Sequence, residues 1–298
     1  MNQQSWETFR AVAEVGSISG AARVLNLSQS AVSQQIQQLE SQYETHLLVR
    51  SAHGVRLTPA GEVLYRYAIK ILTALDESHE RIRGLSEGAP ERIRVGASFT
   101  IAEYLLPELL TRLYRPRSHG RITVTMANSA AVLDLVLHQA VDVGLVEVDV
   151  HSPEMVARRF YHDNPAVFVN SAHPWARRSR VSLEEFLQEP LILREPGSGT
   201  RATLEQALSE MGLGVDDLTV SLVLGTTQAI KAMVRAGFGA SVLSPLTVLP
   251  EERPDFASVQ VDGLYLFRSF HAVHLPVPLS DGVRRFVRLL AREATAAL

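Results

Sequence analysis

Residues 9–61 decide the fold of the N-terminal part of this chain, in two segments: FRAVAEVGSISGAARVLNLSQSAVSQQIQQLE (9–40) and RSAHGVRLTPAG (50–61). An Ala-rich helix, a short turn that opens on Ser28 and a second helix with a Gln/Ser face predict a helix-turn-helix. A short hairpin around residues 52–54 makes the motif winged. Such a motif places one helix in the major groove of DNA. We therefore expect a DNA-binding domain over residues 1–59.

The second helix of the motif, expected over residues 29–43, has an apolar and a polar face. Its polar face carries uncharged residues and follows Ser28, a good N-cap. Glutamine bonds adenine bidentately and serine adapts to several partners, so this face is a candidate for base reading. A merely solvated helix is the alternative, although such surfaces usually carry Lys and Glu. The candidates are Ser28, Gln29, Ser30, Ser33, Gln34 and Gln37.

Three basic residues, Arg50, His53 and Arg56, lie on the predicted wing. In this position they are expected to contact phosphates or the minor groove. For Arg56, which lies next to the apolar residue Leu57, an ion pair within the protein is an alternative.

The composition is that of a soluble protein with more than one domain. The chain has 298 residues, 46% of them hydrophobic and 20% charged, and it has no cysteine. Disulfides and thiolate metal sites are thereby excluded, which is typical of a reducing cytoplasm. No apolar run suggests a membrane span or signal peptide.

The net charge is −3, and residues 1–60 contain four arginines and four glutamates. Without a broad basic patch, two or more DNA-binding heads are expected to act together.

A long helix is predicted from Pro59 to about Gly88. Its apolar residues recur every three or four residues, with one interval of seven residues that passes over Ser78. This spacing indicates a seam for a partner helix. We expect residues 60–89 to form a dimerisation helix; packing against its own chain is the alternative. The seam residues are Leu64, Ala68, Ile71, Leu75, Ile82 and Leu85.

From residue 92 onward, predicted strands and helices alternate. The strands are RIRVGAS, RITVTMA, DVGLVEV, AVFV, LILRE, VSLVLG and GASVLS. This order favours an α/β fold with doubly wound parallel sheets in two halves. Ligands of such folds bind in the crevice at the carboxyl ends of the strands.

Turns rich in hydroxyl groups follow four of these strands, at residues 98–100, 128–129, 197–200 and 225–227. Hydroxyl and amide donors at the start of a helix favour a small oxyanion or carboxylate. At any single turn, Ser or Thr is more often only a helix cap. The combination of four turns in a two-lobed fold favours ligand binding.

The patterns that would indicate an enzyme are incomplete. The Gly-Ser-Gly-Thr loop at 197–200 lacks the following Lys-Ser/Thr of a phosphate loop, and Ser198 lacks a nucleophile elbow. His271 and His274 have no adjacent carboxylate pair for a metal. We therefore expect no catalysis and no cofactor. A free-standing solute receptor would lack the DNA-binding head and carry an export signal.

The chain resembles the LysR-type transcriptional regulators over essentially its whole length. The matching residues are Ala21-Ala22, Leu25, Ser28-Gln29-Ser30-Ala31-Val32-Ser33, Ile36, Leu39-Glu40, Leu47, Arg50 and Leu57-Thr58-Pro59-Ala60-Gly61. The family usually has Leu-Gly where Tyr43-Glu44 stands and Leu-Phe where Leu48-Val49 stands. It often has Gly where Gln139 stands. A non-Gly residue in a left-handed, helix-ending conformation costs about 1 kcal/mol.

The resemblance implies a winged helix-turn-helix, a linker helix and a two-lobed, periplasmic-binding-protein-like α/β effector domain over residues 90–298. Lobe I would comprise about 90–161 and 268–298, and lobe II about 162–267. It further implies cytoplasmic homodimers and homotetramers on promoter DNA, with RNA polymerase as a candidate partner. The implied effector contacts are Ser98, Thr100, Asn128, Glu147, Gly197, Ser198, Gly199, Thr200 and Thr226.

Three segments are most similar to one subgroup, the activators of sulfite reductase operons and sulfite-responsive regulators, with carbon-fixation regulators close by. They are S-x-T-I-A-E-Y-L-L-P, G-L-V-E and L-R-E-P-G-S-G-T-R. This resemblance implies sulfite or a similar oxyanion as the effector. Glu147 suits an anion only if a proton lies between them, as with bisulfite; an ion pair with Arg194 or Arg201 is the alternative. A regulator of the carbon-fixation type, or a constitutive DNA-binding scaffold, remains an alternative function.

Overall fold

The computed structural model describes residues 3–51, 54–84, 92–113 and 121–296. These form two compact units, residues 1–89 with 138–140 and residues 90–137 with 141–298. The helices are α1 (Gln3–Val15), α2 (Ile18–Leu25), α3 (Gln29–Gln42), α4 (Pro59–Gly84), α5 (Leu106–Leu113), α6 (Ser129–Leu137), α7 (Leu183–Gln188), α8 (Gly199–Glu210), α9 (Thr227–Arg235) and α10 (Asp281–Ala296). The strands are β1 (Leu48–Ser51), β2 (Gly54–Leu57), β3 (Arg92–Ala97), β4 (Arg121–Met126), β5 (Val143–Val146), β6 (Val156–Asp163), β7 (Ala166–Asn170), β8 (Arg180–Val181), β9 (Leu191–Arg194), β10 (Val220–Leu224), β11 (Ser241–Leu243), β12 (Phe256–Val261) and β13 (Arg268–His274).

Helices α1 to α3 form the predicted helix-turn-helix around a small apolar core. Phe9 of α1 and Ile36 of α3 are fully buried in it, together with Ala21 of α2, whose small side chain lets the helices approach closely. The turn depends on Asn26, which adopts the left-handed conformation at φ +53°, a conformation that asparagine tolerates. Ser28 then caps α3 by accepting a hydrogen bond from the backbone N–H of Ala31 at 3.1 Å.

The wing strands β1 and β2 pair antiparallel, and α4 begins directly after them. Thr58 caps α4 through a 2.9 Å bond from the Gly61 N–H, and Pro59 occupies the first helical position, where its missing N–H has no cost. Gly61 is required here because a Cβ at this position would lie 2.0 Å from the Leu47 carbonyl oxygen. The Thr-Pro-Ala-Gly sequence thus joins the wing to α4.

Part of the predicted seam of α4 packs within its own chain. Leu64 and Ala68 are buried in the helix-turn-helix core together with Leu72, so for these residues the alternative interpretation applies. Ile71 and Leu75 are half-buried, and Ser78 is exposed. The side chain of Ile82 and all of Leu85 lie outside the described residues. A second set of large side chains, Val63 and Tyr67, is exposed on α4.

The second unit contains two lobes. Lobe I, residues 92–113, 121–137 and 141–163 with 268–296, has a five-stranded sheet in the order β4-β3-β5-β13-β6. The turn Ile101–Leu105 and helices α5 and α10 pack on its main apolar core. Lobe II, residues 166–261, has a four-stranded sheet β11-β7-β12-β8 and the parallel pair β9-β10. A parallel bridge between Leu191 and Ala240 connects β9 to the β11 region.

The expectation of all-parallel sheets was wrong in part. The predicted strands of lobe I, β3 to β5, are parallel, but β13 runs antiparallel to both β5 and β6. The reason is the connection between lobes: β6 leads into lobe II, and β13 returns from it in the opposite direction. In lobe II, β7 likewise pairs antiparallel with β11 and β12.

Among the described residues, no helix is long and apolar enough to span a membrane.

Candidate functional sites

The polar face of α3 is open to solvent. Gln34, at its centre, is exposed, and Ser33 is half-buried. The other exposed candidates are Ser28, Gln29, Ser30 and Gln37. Ser28 also serves the fold, because its hydroxyl caps the helix and lies 2.9 Å from the Ser30 hydroxyl. Besides the cap Ser28, five glutamine and serine side chains of this face are therefore exposed or half-buried and can contact a base or phosphate.

The wing candidates are only partly described. Arg56 is exposed on β2, and no ion pair involving it occurs among the residues that the structure describes, which disfavours its internal-pair alternative. The backbone of Arg50 lies in β1 opposite Val55. His53 lies outside the described residues, as does Ala52.

The connection from α3 to the wing is held by two glutamates. Glu44 has φ +50°, and the Thr45 N–H donates to the Glu40 carbonyl at 3.1 Å, as in a Schellman helix end. The left-handed position that the family usually fills with Gly is therefore kept with Glu44. The Glu40 carboxylate accepts from the backbone N–H groups of Leu47 at 2.8 Å and Leu48 at 3.2 Å. Glu40 thus attaches the start of β1 to the DNA-reading helix.

In the second unit, three strand ends and the N-terminus of α8 meet at Glu147. Ser98, after β3, donates its hydroxyl to Glu147 Oε1 at 2.5 Å. Thr200, in the first turn of α8, donates to Oε2 at 3.4 Å. Ser129, after β4, accepts from the Glu147 backbone N–H at 3.3 Å. A Cβ on Gly199 would lie 2.5 Å from the Cβ of Glu147, so only glycine allows this approach of the two lobes.

Glu147 forms an ion pair with Arg268, and not with Arg194 or Arg201, the two partners named in its alternative interpretation. Arg194 instead bonds the adjacent Glu195 at 2.8 Å, and Arg201 bonds Glu205 at 2.7 Å, one helical turn away.

Arg268 reaches Glu147 because β13 pairs with β5 and places His271 opposite Val146. Residue 268 therefore lies beyond the carboxyl end of β5, where Glu147 stands. Arg268 was not among the residues predicted from the sequence, where it is only a charged residue at the start of an apolar segment.

Arg268 connects both lobes through one buried guanidinium. Its Nη1 bonds Glu147 and donates to Thr200 Oγ1 at 2.9 Å, while its Nε donates to Asp163 Oδ2 at 2.8 Å. Asp163 in turn accepts from the Ser244 hydroxyl of lobe II at 2.8 Å. The Nη2 of Arg268 lies 2.7 Å from Asp163 Oδ2 but, among the described residues, it has no well-directed hydrogen bond.

Two of the candidate hydroxyls in this region are not engaged. Thr100 and Ser198 are 1% and 2% exposed, yet neither side chain caps the helical turn that follows it. Neither hydroxyl has a hydrogen-bond partner among the residues that the structure describes. Ser198 precedes α8, whose N-terminal N–H groups carry partial positive charge. Both residues thus provide free donors next to the Glu147 cluster.

The remaining candidates lie around this cluster. Asn128 caps α6 through its Oδ1, at 3.0 Å from the Ala131 N–H, and its Nδ2 donates across the lobes to Glu195 at 3.3 Å. The carbonyl of Gly197 accepts from the Ala130 N–H at 3.1 Å. Thr226 is exposed and caps α9, which is the capping role considered as the alternative for such turns. No contact among the described residues joins Thr226 to Glu147.

Two aromatic residues of lobe I cover buried cations of lobe II. The Phe99 ring lies 5.2 Å from the Arg194 guanidinium, and the Tyr104 ring lies 5.3 Å from the ammonium of Lys231. Lys231 is 1% exposed and paired with Glu252. Gln228 also donates to the Tyr104 hydroxyl at 2.7 Å, and burial raises the pKa of that phenol. These contacts were not predicted from the sequence, since aromatic residues near the end of a strand are typical of an apolar core.

A winged helix-turn-helix with an open polar face, followed by a two-lobed domain with polar groups between its lobes, defines a DNA-binding regulator with an effector-binding domain. Residues 4–62 match the family described as "Bacterial regulatory helix-turn-helix protein, lysR family", and residues 86–295 match "LysR substrate binding domain". The chain belongs to the LysR family of transcriptional regulators.

Relatives match along nearly the whole chain. An uncharacterized helix-turn-helix-type transcriptional regulator of Mycobacterium tuberculosis (strain H37Rv) is 34% identical over 90% of this chain and 88% of its own length. The regulator CysL of Bacillus subtilis (strain 168) is 30% identical, covering 91% and 90%. The RuBisCO operon transcriptional regulator of Allochromatium vinosum is 31% identical, covering 89% and 87%.

The crystal structure of CbnR, a LysR family transcriptional regulator, has the same fold. It aligns with a TM-score of 0.74 at 21% identity, over 99% of each chain. This likeness, together with the family matches, confirms the expected architecture of an N-terminal winged helix-turn-helix and a two-lobed α/β effector domain.

Proposed function

We propose that this protein regulates transcription in response to a small oxyanion, with sulfite as the leading candidate and sulfur metabolism as the setting. The anion would bind between the lobes, at Ser98, Thr100, Asn128, Glu147, Gly197, Ser198, Gly199 and Thr200. Thr226 completes the set proposed from sequence, although its hydroxyl serves as a helix cap.

The observation that carries this proposal is a pair of hydroxyls, those of Thr100 and Ser198, that have no hydrogen-bond partner among the described residues and lie at the start of the turn Ile101–Leu105 and of α8. A small anion would satisfy them, and the N-terminus of the twelve-residue helix α8 adds positive potential in the same place. The resemblance of three segments to sulfite-responsive regulators favours sulfite among such anions.

On the DNA side, we propose that the polar face of α3 contacts promoter DNA and that the wing contacts the DNA backbone. The contacts of α3 are Gln29, Ser30, Ser33, Gln34 and Gln37, and those of the wing are Arg50, His53 and Arg56. The balanced charge of residues 1–60 requires several heads on one site. Dimers through residues 60–88, and tetramers through the effector domains, would supply them. The exposed Val63 and Tyr67 of α4 favour pairing of this helix, and RNA polymerase is a proposed further partner.

A second candidate is a regulator of the carbon-fixation type. The same donors suit a phosphate or carboxylate as well as a sulfur oxyanion, and the RuBisCO operon regulator is among the relatives. Calorimetric titration of the full-length protein with sulfite, sulfate, thiosulfate and phosphoglycolate separates the two candidates. Binding of none of these, with an unchanged DNA footprint, would instead favour a constitutive DNA-binding scaffold.

Two variants test the two faces separately. Gln34→Ala should weaken specific DNA binding by about 1–3 kcal/mol, measured by gel shift on the protein's own promoter. Gln42→Ala, on the last turn of α3, is the matched control and should bind normally.

Ser198→Ala should leave DNA binding intact and lower the affinity for the anion by roughly tenfold, which is the effect of losing one hydrogen bond to a charged group. Its control is Ser209→Ala, at the exposed far end of α8. If the Ser198 variant responds to sulfite as the parent does, the proposed pocket is wrong.

A further inference from the structure

The polar cluster between the lobes already carries excess negative charge. Glu147 and Asp163 are two carboxylates, and Arg268 is the single cation that bonds both. All three residues are buried, with 3%, 4% and 5% of their surfaces exposed. Formally this cluster has a charge of −1 before any effector arrives.

The neighbouring charged groups do not correct this balance. On the lobe II side, Arg194 is paired with Glu195 and Arg201 with Glu205. On the strands beside Glu147, His271 lies 3.6 Å from Asp149, and His162 lies 3.4 Å from the Ser269 hydroxyl. Of the charged groups that the structure describes around the site, only Arg268 contacts Glu147.

An added hydrogen anion would therefore bring the formal charge of the buried cluster to −2, whereas a dianion would bring it to −3 at a larger desolvation cost. One proton on the ligand removes one unit of this charge and so lowers the desolvation cost. Glu147 Oε1 accepts a single hydrogen bond, from Ser98, whereas Oε2 accepts from both Arg268 and Thr200. Since a carboxylate oxygen has two lone pairs, Oε1 retains one acceptor position.

We infer that Glu147 makes the site selective for a hydrogen-bearing oxyanion, such as bisulfite or a hydrogen phosphate group, over a fully ionised one such as sulfate. The inference rests on the proposed function, because it concerns the same site. The bound state contains one O–H between a ligand oxygen and Glu147 Oε1. A ligand that binds as the hydrogen anion supplies this proton itself. A ligand that is a dianion in solution takes the proton from water when it binds, and the buffer neutralises the hydroxide that is released.

The direct test is a calorimetric titration of the wild-type full-length protein with sodium sulfite and with sodium sulfate between pH 6.5 and 8.5. We expect sulfite to bind at least about tenfold more tightly than sulfate at the lower pH, because sulfate has no hydrogen to donate to Glu147 Oε1 and leaves two acceptors facing each other. Where sulfite is mainly the dianion, repeating the titration in two buffers of different ionisation enthalpy should show about one proton taken up per anion. The affinity should then fall about tenfold per pH unit.

Glu147→Gln provides the second arm, because glutamine has the same shape but needs no proton and supplies an N–H donor. In this variant sulfite should bind no more than about threefold more tightly than sulfate, because the hydrogen bond that distinguishes the two ligands is mostly lost. The pH dependence should also weaken. Glu205→Gln, which removes a charge from α8 outside the cluster, is the control and should behave as the wild type.

The outcomes are distinguishable. Sulfite binding without proton uptake, or wild-type binding of sulfate as tight as that of sulfite, overturns the role of Glu147 and leaves the proposed anion site standing. Binding of no anion, phosphoglycolate included, overturns the proposed function and this inference with it. The wild-type proton count needs no variant, so it decides the question even if Glu147→Gln fails to fold.

Discussion

The guanidinium of Arg268 forms a buried ion pair with the carboxylate of Glu147, a residue 121 positions earlier in the chain. The same guanidinium bonds Asp163, at the point where β6 leaves lobe I. Arg268 stands where β13 returns to that lobe. Both connections between the lobes therefore meet at one cation, and any relative movement of the lobes must change its contacts.

Replacing Arg268 with methionine should destabilise the protein by about 3–5 kcal/mol, because it leaves two buried carboxylates without their cation. Urea unfolding of the full-length protein measures this loss. Arg180→Met is the control, since Arg180 is 64% exposed and pairs with the half-exposed Asp262. Equal effects of the two changes would show that the buried network has no special role in stability.

Glu40→Ala should destabilise the DNA-binding unit by about 1–3 kcal/mol, because the backbone N–H groups of Leu47 and Leu48 lose their acceptor. Glu40→Gln keeps a carbonyl oxygen at the same place and should lose much less. Thermal unfolding and DNA affinity are to be followed together. A glutamine variant as unstable as the alanine variant would indicate that the charge, and not the acceptor, is required.

Glu44→Gly should stabilise the protein by about 1 kcal/mol, because glycine adopts the left-handed conformation at φ +50° without Cβ strain. The expected result is a higher urea midpoint with an unchanged slope. Ser41→Gly, one turn earlier within α3, is the matched control. It should destabilise by about 0.5–1 kcal/mol, because glycine is unfavourable inside a helix.

Acid should weaken the fold through His271. Burial lowers the pKa of this imidazole, and nearby Asp149 offsets part of the shift. The unfolded chain therefore binds the proton more readily than the folded one, so stability is constant above the ordinary histidine pKa of about 6.5 and decreases as the pH falls below it.

His271→Gln should flatten the dependence of the unfolding free energy on pH between about 7 and 5, the window set by the ordinary histidine pKa. The exposed His151 provides the control: His151→Gln should leave the curve as in the parent. A curve that stays equally steep in His271→Gln would assign the acid sensitivity to other groups.

Local patterns predicted much of the DNA-binding unit. Ser28 was expected to cap α3 and does so, because a cap depends on residues three positions apart. The left-handed conformations of Glu44 and Gln139 likewise follow from positions where the family usually has glycine. The strands β6, β8, β12 and β13 were not predicted; β8 has only two residues, and β6 and β13 carry charges such as Arg158, Arg159 and Arg268.

The sequence by itself determined the helix-turn-helix, the helix that follows it and the hydroxyl-rich turns, because capping, turn chemistry and hydrophobic spacing act between near neighbours. Only the tertiary structure decided the partner of Glu147 and the direction of β13, because these depend on which distant segments the two connections between lobes bring together. It also decided that Leu64 and Ala68 pack against their own chain. A seam of apolar residues predicts that the helix is covered, but it does not predict whether the same chain or a partner covers it.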